Sequence, residues 1–389
     1  MKRINKMNLI MVLLWTGIFQ FYIPNEKIYY VYDFFVAIIV FIISIFEIRK
    51  IPGKLFVLFY PLVIIISCLI NRNAILYTQV MRGITYAILI LDIILYLHKY
   101  VRKYGTEKMF NILYRICRFY FFINMIWIFA LEVIGKLENA IQNEYLFLCG
   151  KFPTAYMMIF YLLFFMLAWS GNLIIKKKRK KIIFVLLVAL CVSLCWLIET
   201  STGVLAILLF GVLVLIPKNE KILKIFCNPI VLCGTIIGSM MLIFSINMII
   251  SSSFVQNLIT NILHEDMTLT GRTQLYSMLS PLLLKAGSFG SGFGSYVTTQ
   301  LGYHKWYNAQ NGLAEIILTY GYVGGGAFLG LVFNSAIYNK KFVKQINAAI
   351  LVFIIVAVVE IPFNLRFIFL ISIFMCSGIE ETRIKKIII

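Results

Sequence analysis

Arg272 follows Thr270 and Gly271, and the apolar residues after it, Leu275, Met278, Leu279, Leu282 and Leu283, recur at helical spacing. A guanidinium at a helix start, beside amides that the helix leaves unpaired, is a phosphate-binding arrangement. Arginine suits the task because it stays charged and grips oxygens in a fork. Downstream lies Gly287-Ser288-Phe289-Gly290-Ser291-Gly292-Phe293-Gly294. Glycines such as Gly292 and Gly294 let backbone N–H groups approach a diphosphate, although such runs are common in loops and no Walker lysine follows this one. His304 and His264 are two of only three histidines. Either can act as a base near neutral pH; the plainer alternative is a solvated loop residue. His264-Glu265-Asp266 does not read as a metal site, because three adjacent residues rarely chelate one ion and no second ligand cluster accompanies them. Gln310 and Asn311 then form a polar pair ahead of Gly312.

All of these residues lie in or beside one long polar segment, 251–311, of a chain that is otherwise strongly apolar. The chain has 389 residues, 61% hydrophobic and 13% charged, with mean hydropathy +0.92. Apolar runs of about 16–25 residues recur along its length, each long enough to cross roughly 30 Å of hydrocarbon as a helix. Helices are required there because lipid cannot satisfy backbone groups. Spans are expected at 8–23, 28–48, 55–70, 75–97, 119–135, 154–175, 182–198, 201–216, 226–250, 312–337, 346–359 and 364–379. The expectation is an all-α polytopic membrane protein, one integral domain over 1–389 with about twelve spans. Residues 251–311 form its large extracytoplasmic loop. Within that loop Phe254, Leu258, Ile259 and Ile262 have helical spacing, as do the leucines after Arg272. Both sets read as amphipathic helices, lying along the outer leaflet or packed on the bundle. Pro362, within Glu360-Ile361-Pro362-Phe363-Asn364, favours a break between the last two spans, as a tight turn or a re-entrant hairpin.

Net charge is +20, which raises the question of nucleic acid. Its placement answers otherwise. Of the 36 Lys and Arg, 27 fall on alternate connections: the N-terminus, 49–54, 99–118, 176–181, 218–224, 340–344 and the C-terminus. This is the positive-inside pattern, so the expectation is a multi-pass protein of the plasma or inner membrane with both termini cytoplasmic and no nucleic-acid partner. The first span lacks a small-residue cleavage site and reads as an uncleaved anchor. Of eight cysteines, seven lie in or against expected spans and only Cys149 sits in an outer loop, so no disulfide framework and no zinc spacing is read.

Ionisable residues inside spans are expensive and suggest function. Asp33, Glu132, Glu199, Glu315, Glu360 and Arg366 fall near an outer boundary, and Arg82 sits deeper in the fourth span, with Arg72 just outside it. Asp92 and Glu47 lie near the inner face. A site in the outer half, open to the outside and to lipid, is the economical reading; the alternative is that each residue snorkels or pairs locally. An arginine as deep as Arg82 needs an anionic partner or a water-filled cavity.

Taken in order, Glu199-Thr200-Ser201-Thr202-Gly203, Thr270-Gly271-Arg272, Gly290-Ser291-Gly292-Phe293-Gly294, Ala309-Gln310-Asn311-Gly312 and Gly321-Tyr322-Val323-Gly324 resemble the O-antigen polymerase and O-antigen ligase superfamily of bacterial surface polysaccharide synthesis. These motifs cover roughly 195–330; elsewhere the likeness is one of topology. The Gly-Arg matches directly at Arg272. Ligases usually carry Ser-Arg where this chain has Ser201-Thr202, and His-Asn where it has Gln310-Asn311. Both departures lean toward the more variable polymerases. His304 is a candidate for the missing histidine's place, and Arg72 or Arg82 for the missing arginine's.

The resemblance implies transfer of a glycan from polyprenyl diphosphate to a sugar hydroxyl of another lipid-linked repeat unit, with no cofactor and no obligatory metal. Arg272, His304 and Glu199 would be catalytic; Arg82, Arg72, Gly271, Gly292, Gly294, Gln310 and Asn311 would bind substrate. Partners implied are the lipid-linked oligosaccharide, membrane lipid, and a chain-length regulator and flippase of the same pathway. The competing expectations are a lipid-linked glycan flippase or exporter, and an O-antigen-type ligase.

Overall fold

A computed structural model describes residues 6–168, 177–216, 220–250, 272–294, 308–339 and 341–378. It is 80% helical, and no strand occurs among the described residues. The helices are α1 (Lys6–Ile18), α2 (Glu26–Ser44, continued by a 3-10 segment, Ile45–Arg49), α3 (Lys54–Ile70), α4 (Tyr77–Tyr104), α5 (Thr106–Val133), α6 (Leu137–Gln142), α7 (Lys151–Ala168) and α8 (Lys177–Leu197). They continue as α9 (Ser201–Leu215), α10 (Glu220–Ile225), α11 (Pro229–Ile250), α12 (Arg272–Lys285), α13 (Gly312–Tyr338), α14 (Lys344–Val356) and α15 (Leu365–Cys376).

Among the described residues, six helical segments are long and apolar enough to cross a membrane: 26–49, α4, α5, α7, 179–197 of α8, and α13. Six more are apolar with 10–17 residues: α1, α3, α9, 229–243 of α11, α14 and α15. Each expected span overlies one of these twelve. The exposed surface is apolar too. On α2, Val36, Ala37 and Val40 are buried, yet Phe35, Ile39 and Ile42 on the opposite side are 59%, 43% and 63% exposed. A helix apolar on both faces needs packing on one and lipid on the other. The chain is a membrane-embedded all-α protein.

In lipid, helix association rests on packing and interhelical hydrogen bonds rather than on escape from water. The core accordingly interlocks aromatic rings. Trp15 stacks on Phe19 at 4.6 Å and meets Phe369 edge-on at 5.3 Å, and Phe160 contacts Phe19, Phe164 and Phe369. α4 packs on α2, α3 and α15, and α13 packs on α3, α11 and α15. Polar residues at helix starts are caps: Asn25, Thr200, Asn311 and Asn364 each accept a hydrogen bond from an amide in the first turn that follows.

α12 packs against α11 and α13, burying Leu275, Leu279 and Leu283. Of the two readings of this amphipathic helix, the bundle-packed one describes it. The earlier stretch with Phe254, Leu258, Ile259 and Ile262 lies outside the described residues, as does the rest of 251–271 and 295–307.

Candidate functional site

Gly321 interrupts α13 with φ 73° and ψ −176°. A break there detaches the amides of Tyr322 and Val323 from the carbonyls of Leu318 and Thr319, their partners in an unbroken helix. The glycine run occupies all four groups. Tyr322 N–H donates to Gly287 O at 3.1 Å and Val323 N–H to Ser288 O at 3.1 Å. In return Ser291 N–H donates to Leu318 O at 3.0 Å and Gly292 N–H to Thr319 O at 2.9 Å. α3 clamps the joint: Ser67 Oγ lies 2.5 Å from Phe289 O and 3.1 Å from Thr319 O, and Asn71 Nδ2 donates to Gly290 O at 3.1 Å. The amide of Gly292 is thus spent on the protein's own backbone rather than held out toward a ligand.

This joint aims Phe293. A Cβ at Gly83 of α4 would lie 2.9 Å from Phe293 Cβ, so the missing side chain of Gly83 is the notch in which Phe293 sits. Its ring then lies 5.5 Å from that of Tyr86 and 6.0 Å from the Arg82 guanidinium.

Beside Phe293 is a cavity of about 400 Å³. It forms where α1 ends (Ile18, Gln20), α2 and α4 begin (Tyr29, Tyr30, Asp33; Tyr77, Arg82, Tyr86) and α15 begins (Asn364, Arg366). Four helix ends therefore meet at one end of the bundle. The walls are mainly apolar and aromatic, including Val31, Phe34, Met81 and Leu89. Two cations sit within them. The Arg82 guanidinium lies 4.4 Å from the centre of the Tyr30 ring and reaches Gln79 Oε1 at 3.4 Å. The Arg366 guanidinium lies 5.3 Å from the Phe19 ring, and its buried Nε has no hydrogen-bond partner among the described residues. Ion pairing among the described residues is found at Glu47, with His98 and Arg102, and not at either of these arginines. Asp33 brings a carboxylate to the same cavity, its Oδ2 accepting from Gln20 Nε2 at 2.9 Å.

Of the residues expected from sequence, Arg82 lines this cavity. Arg72 is exposed beyond the end of α3 and does not line it. Glu199 is exposed at the α8–α9 junction with φ 54°, its carbonyl accepting from Lys151 Nζ. Asn311 is fully buried: Oδ1 caps α13 through Ala314 N–H, and Nδ2 donates to Ser239 O and Val358 O. Gln310 has φ 50°, with its carbonyl accepting from the Tyr276 hydroxyl at 3.2 Å. Gly294 has φ 69° and lies against Gln79, where a Cβ would fall 2.5 Å from Oε1. Arg272 is the first residue of α12. Gly271, His304 and His264 lie outside the described residues.

The sequence marks Asp33 and Arg366 among the charges gathered near the outer boundary without giving either a role, and shows Phe293 only as part of the glycine run. The signal for Arg366 was present as an arginine in the first turn of an apolar helix; its convergence with Arg82 came only with the packing of α15 on α4. No protein-family model, curated protein or solved structure matches the chain.

Proposed function

We propose that this protein is a polysaccharide repeat-unit polymerase that uses a polyprenyl-diphosphate-linked glycan as donor. The observation that carries the reading is the pair of arginines, Arg82 and Arg366, neither in a contact ion pair among the described residues, in an apolar, aromatic-walled cavity whose lining holds a single carboxylate, Asp33. Cations so placed in a membrane protein call for an anion. A lipid diphosphate supplies one together with an isoprenoid chain suited to walls such as Val31, Phe34 and Leu89.

In the proposed reaction the acceptor hydroxyl oxygen bonds to the anomeric carbon as the carbon–oxygen bond to the diphosphate breaks. The diphosphate leaves with the bonding electrons, and the two guanidinium groups stabilise the charge it gains. In this reading Asp33, the carboxylate in the cavity lining, accepts the hydroxyl proton. In this reading the cavity opens at the outer face, which the alternation of basic connections in the sequence supports.

The test is deletion of the gene in its host, followed by analysis of lipid-linked glycans and surface polysaccharide. Single repeat units on polyprenyl diphosphate at the outer face, with loss of long polymer, support the polymerase. Long lipid-linked polymer without its final acceptor indicates a ligase, and repeat units trapped at the inner face indicate a flippase. Either of the latter outcomes overturns the reading.

A further inference from the structure

A second cavity, of about 470 Å³, lies among α1, α4 and α5. Its polar lining comprises Asn8, Tyr100, Tyr104, Lys108, Asn111 and Arg115. Tyr104 is 22 residues beyond Arg82 on α4, which is about 33 Å at the helical rise. Those two residues stand roughly a hydrocarbon thickness apart, and the cavity linings on α4, which end at Leu89 and resume at Tyr100, are about 16 Å apart. The second cavity lies at the end bearing the basic stretches 49–54 and 99–118.

Its ionised lining groups are both cations, and neither Lys108 nor Arg115 pairs with a carboxylate among the described residues. Tyr100 OH donates to Asn8 Oδ1 at 2.8 Å, which orients the Asn8 amide and leaves its NH₂ as a donor. The Tyr104 ring packs on Tyr100 at 5.0 Å and carries the Lys108 ammonium 5.9 Å from its centre. The cavity thus offers two cations and amide donors, with an aromatic floor of Tyr100 and Tyr104.

The outer face of α5 shows what such a ligand would be attached to. Arg115, Phe119, Phe122 and Ile126 follow at i, i+4, i+7 and i+11, one stripe of the helix. Phe119, Phe122 and Ile126 are 63%, 45% and 63% exposed. An apolar, uncovered track therefore starts one turn from the cavity's arginine and runs into the hydrocarbon.

We propose that this cavity binds the phosphate of an anionic phospholipid headgroup, with the acyl chains lying along the Phe119–Phe122–Ile126 track. The chemistry shared with any soluble source is a phosphate; the track is what favours a lipid. This site is separate from the arginine cavity and does not rest on the polymerase reading.

The test is native mass spectrometry of the purified full chain in detergent, titrated with phosphatidylglycerol or phosphatidylcholine. Four forms are compared: wild type, Lys108→Gln/Arg115→Gln, the track variant Phe119→Ser/Phe122→Ser, and the charge-matched control Lys221→Gln/Lys341→Gln, whose lysines are exposed. Wild type and control should retain phosphatidylglycerol over phosphatidylcholine, and the cavity variant should bind it roughly tenfold or more weakly. Equal retention of both lipids, or an equal loss in cavity and control variants, overturns the site. Displacement of phosphatidylglycerol by millimolar inorganic phosphate, with Phe119→Ser/Phe122→Ser unchanged in affinity, overturns the lipid as source and identifies a soluble phosphate instead.

Discussion

Gly290 and Gly321, 31 positions apart, occupy the same space: a Cβ on Gly290 would lie 2.5 Å from Gly321 N, and a Cβ on Gly321 would lie 2.2 Å from Ser288 O. Both have positive φ, 64° and 73°. The broken helix and the glycine run are therefore one device. Each supplies the hydrogen bonds that the other lacks, in a region where lipid would supply none.

Alanine at either glycine meets both the left-handed strain and the backbone overlap. Gly290→Ala or Gly321→Ala should lower stability by about 2–4 kcal/mol, from strain plus loss of buried backbone bonds. Gly326→Ala, in the same helix with nothing near its Cβ, should be neutral. Thermal unfolding in detergent checks this. Equal melting temperatures for the three variants would remove the joint as a structural determinant.

The arginine pair makes a claim about turnover. Arg82→Ala and Arg366→Ala should each cut polymer formation by about 10²–10³-fold while the protein still inserts and melts normally, as expected for lost transition-state charge stabilisation. Lysine at either site should rescue only in part, because it lacks the planar fork. The readout is in vitro extension of a lipid-linked repeat unit by purified protein. Wild-type rates in both alanine variants would detach the cavity from the reaction.

Much of the fold was legible because bilayer length and helical period leave few options: every expected span overlies an apolar helix. The motifs were legible as positions but not as roles. Gly290-Ser291-Gly292 and Gly321 stood out in the sequence as loop and helix features, and the distance between them concealed that each is the other's hydrogen-bond partner. Asn311 stood out as a polar residue ahead of a span; a cap and a ligand-binding amide share that signature, and in the fold its Oδ1 caps α13 while its Nδ2 donates to Ser239 O and Val358 O. Arg82 was found because depth alone marks an intramembrane arginine. Asp33 and Arg366 were legible as outer-half charges, but their place beside Arg82 follows from helix packing, which brings the starts of α2 and α15 beside α4.

Asp33 is testable apart from the arginines. Asp33→Asn keeps the shape and the Gln20 contact but removes the proton acceptor. Loss of a positioned base typically lowers rate by about 10²–10⁴-fold. Retention of co-purifying lipid-linked donor by Asp33→Asn, together with lost turnover, is the expected pair of results. Loss of donor binding with unchanged turnover per bound donor would reassign Asp33 to binding.

Cys149, in the turn between α6 and α7 with φ 54°, reports on the loop outside the spans. Burial, with the Glu144 carboxylate adding to it, pushes its thiol up to about 11. The reactive species is the thiolate, and a raised pKa makes it scarcer at neutral pH. Labelling by a membrane-impermeant maleimide should therefore be slow at pH 7 and rise about tenfold per pH unit, without a plateau at 8.5–9 where an ordinary thiol saturates. The other seven cysteines are replaced by serine or alanine so that the signal belongs to Cys149. A plateau near 9 would place the thiol in open solvent and contradict the packing of the turn. Labelling from the outside of intact cells, and not from the inside of inverted vesicles, would set this turn on the outer face with the arginine cavity.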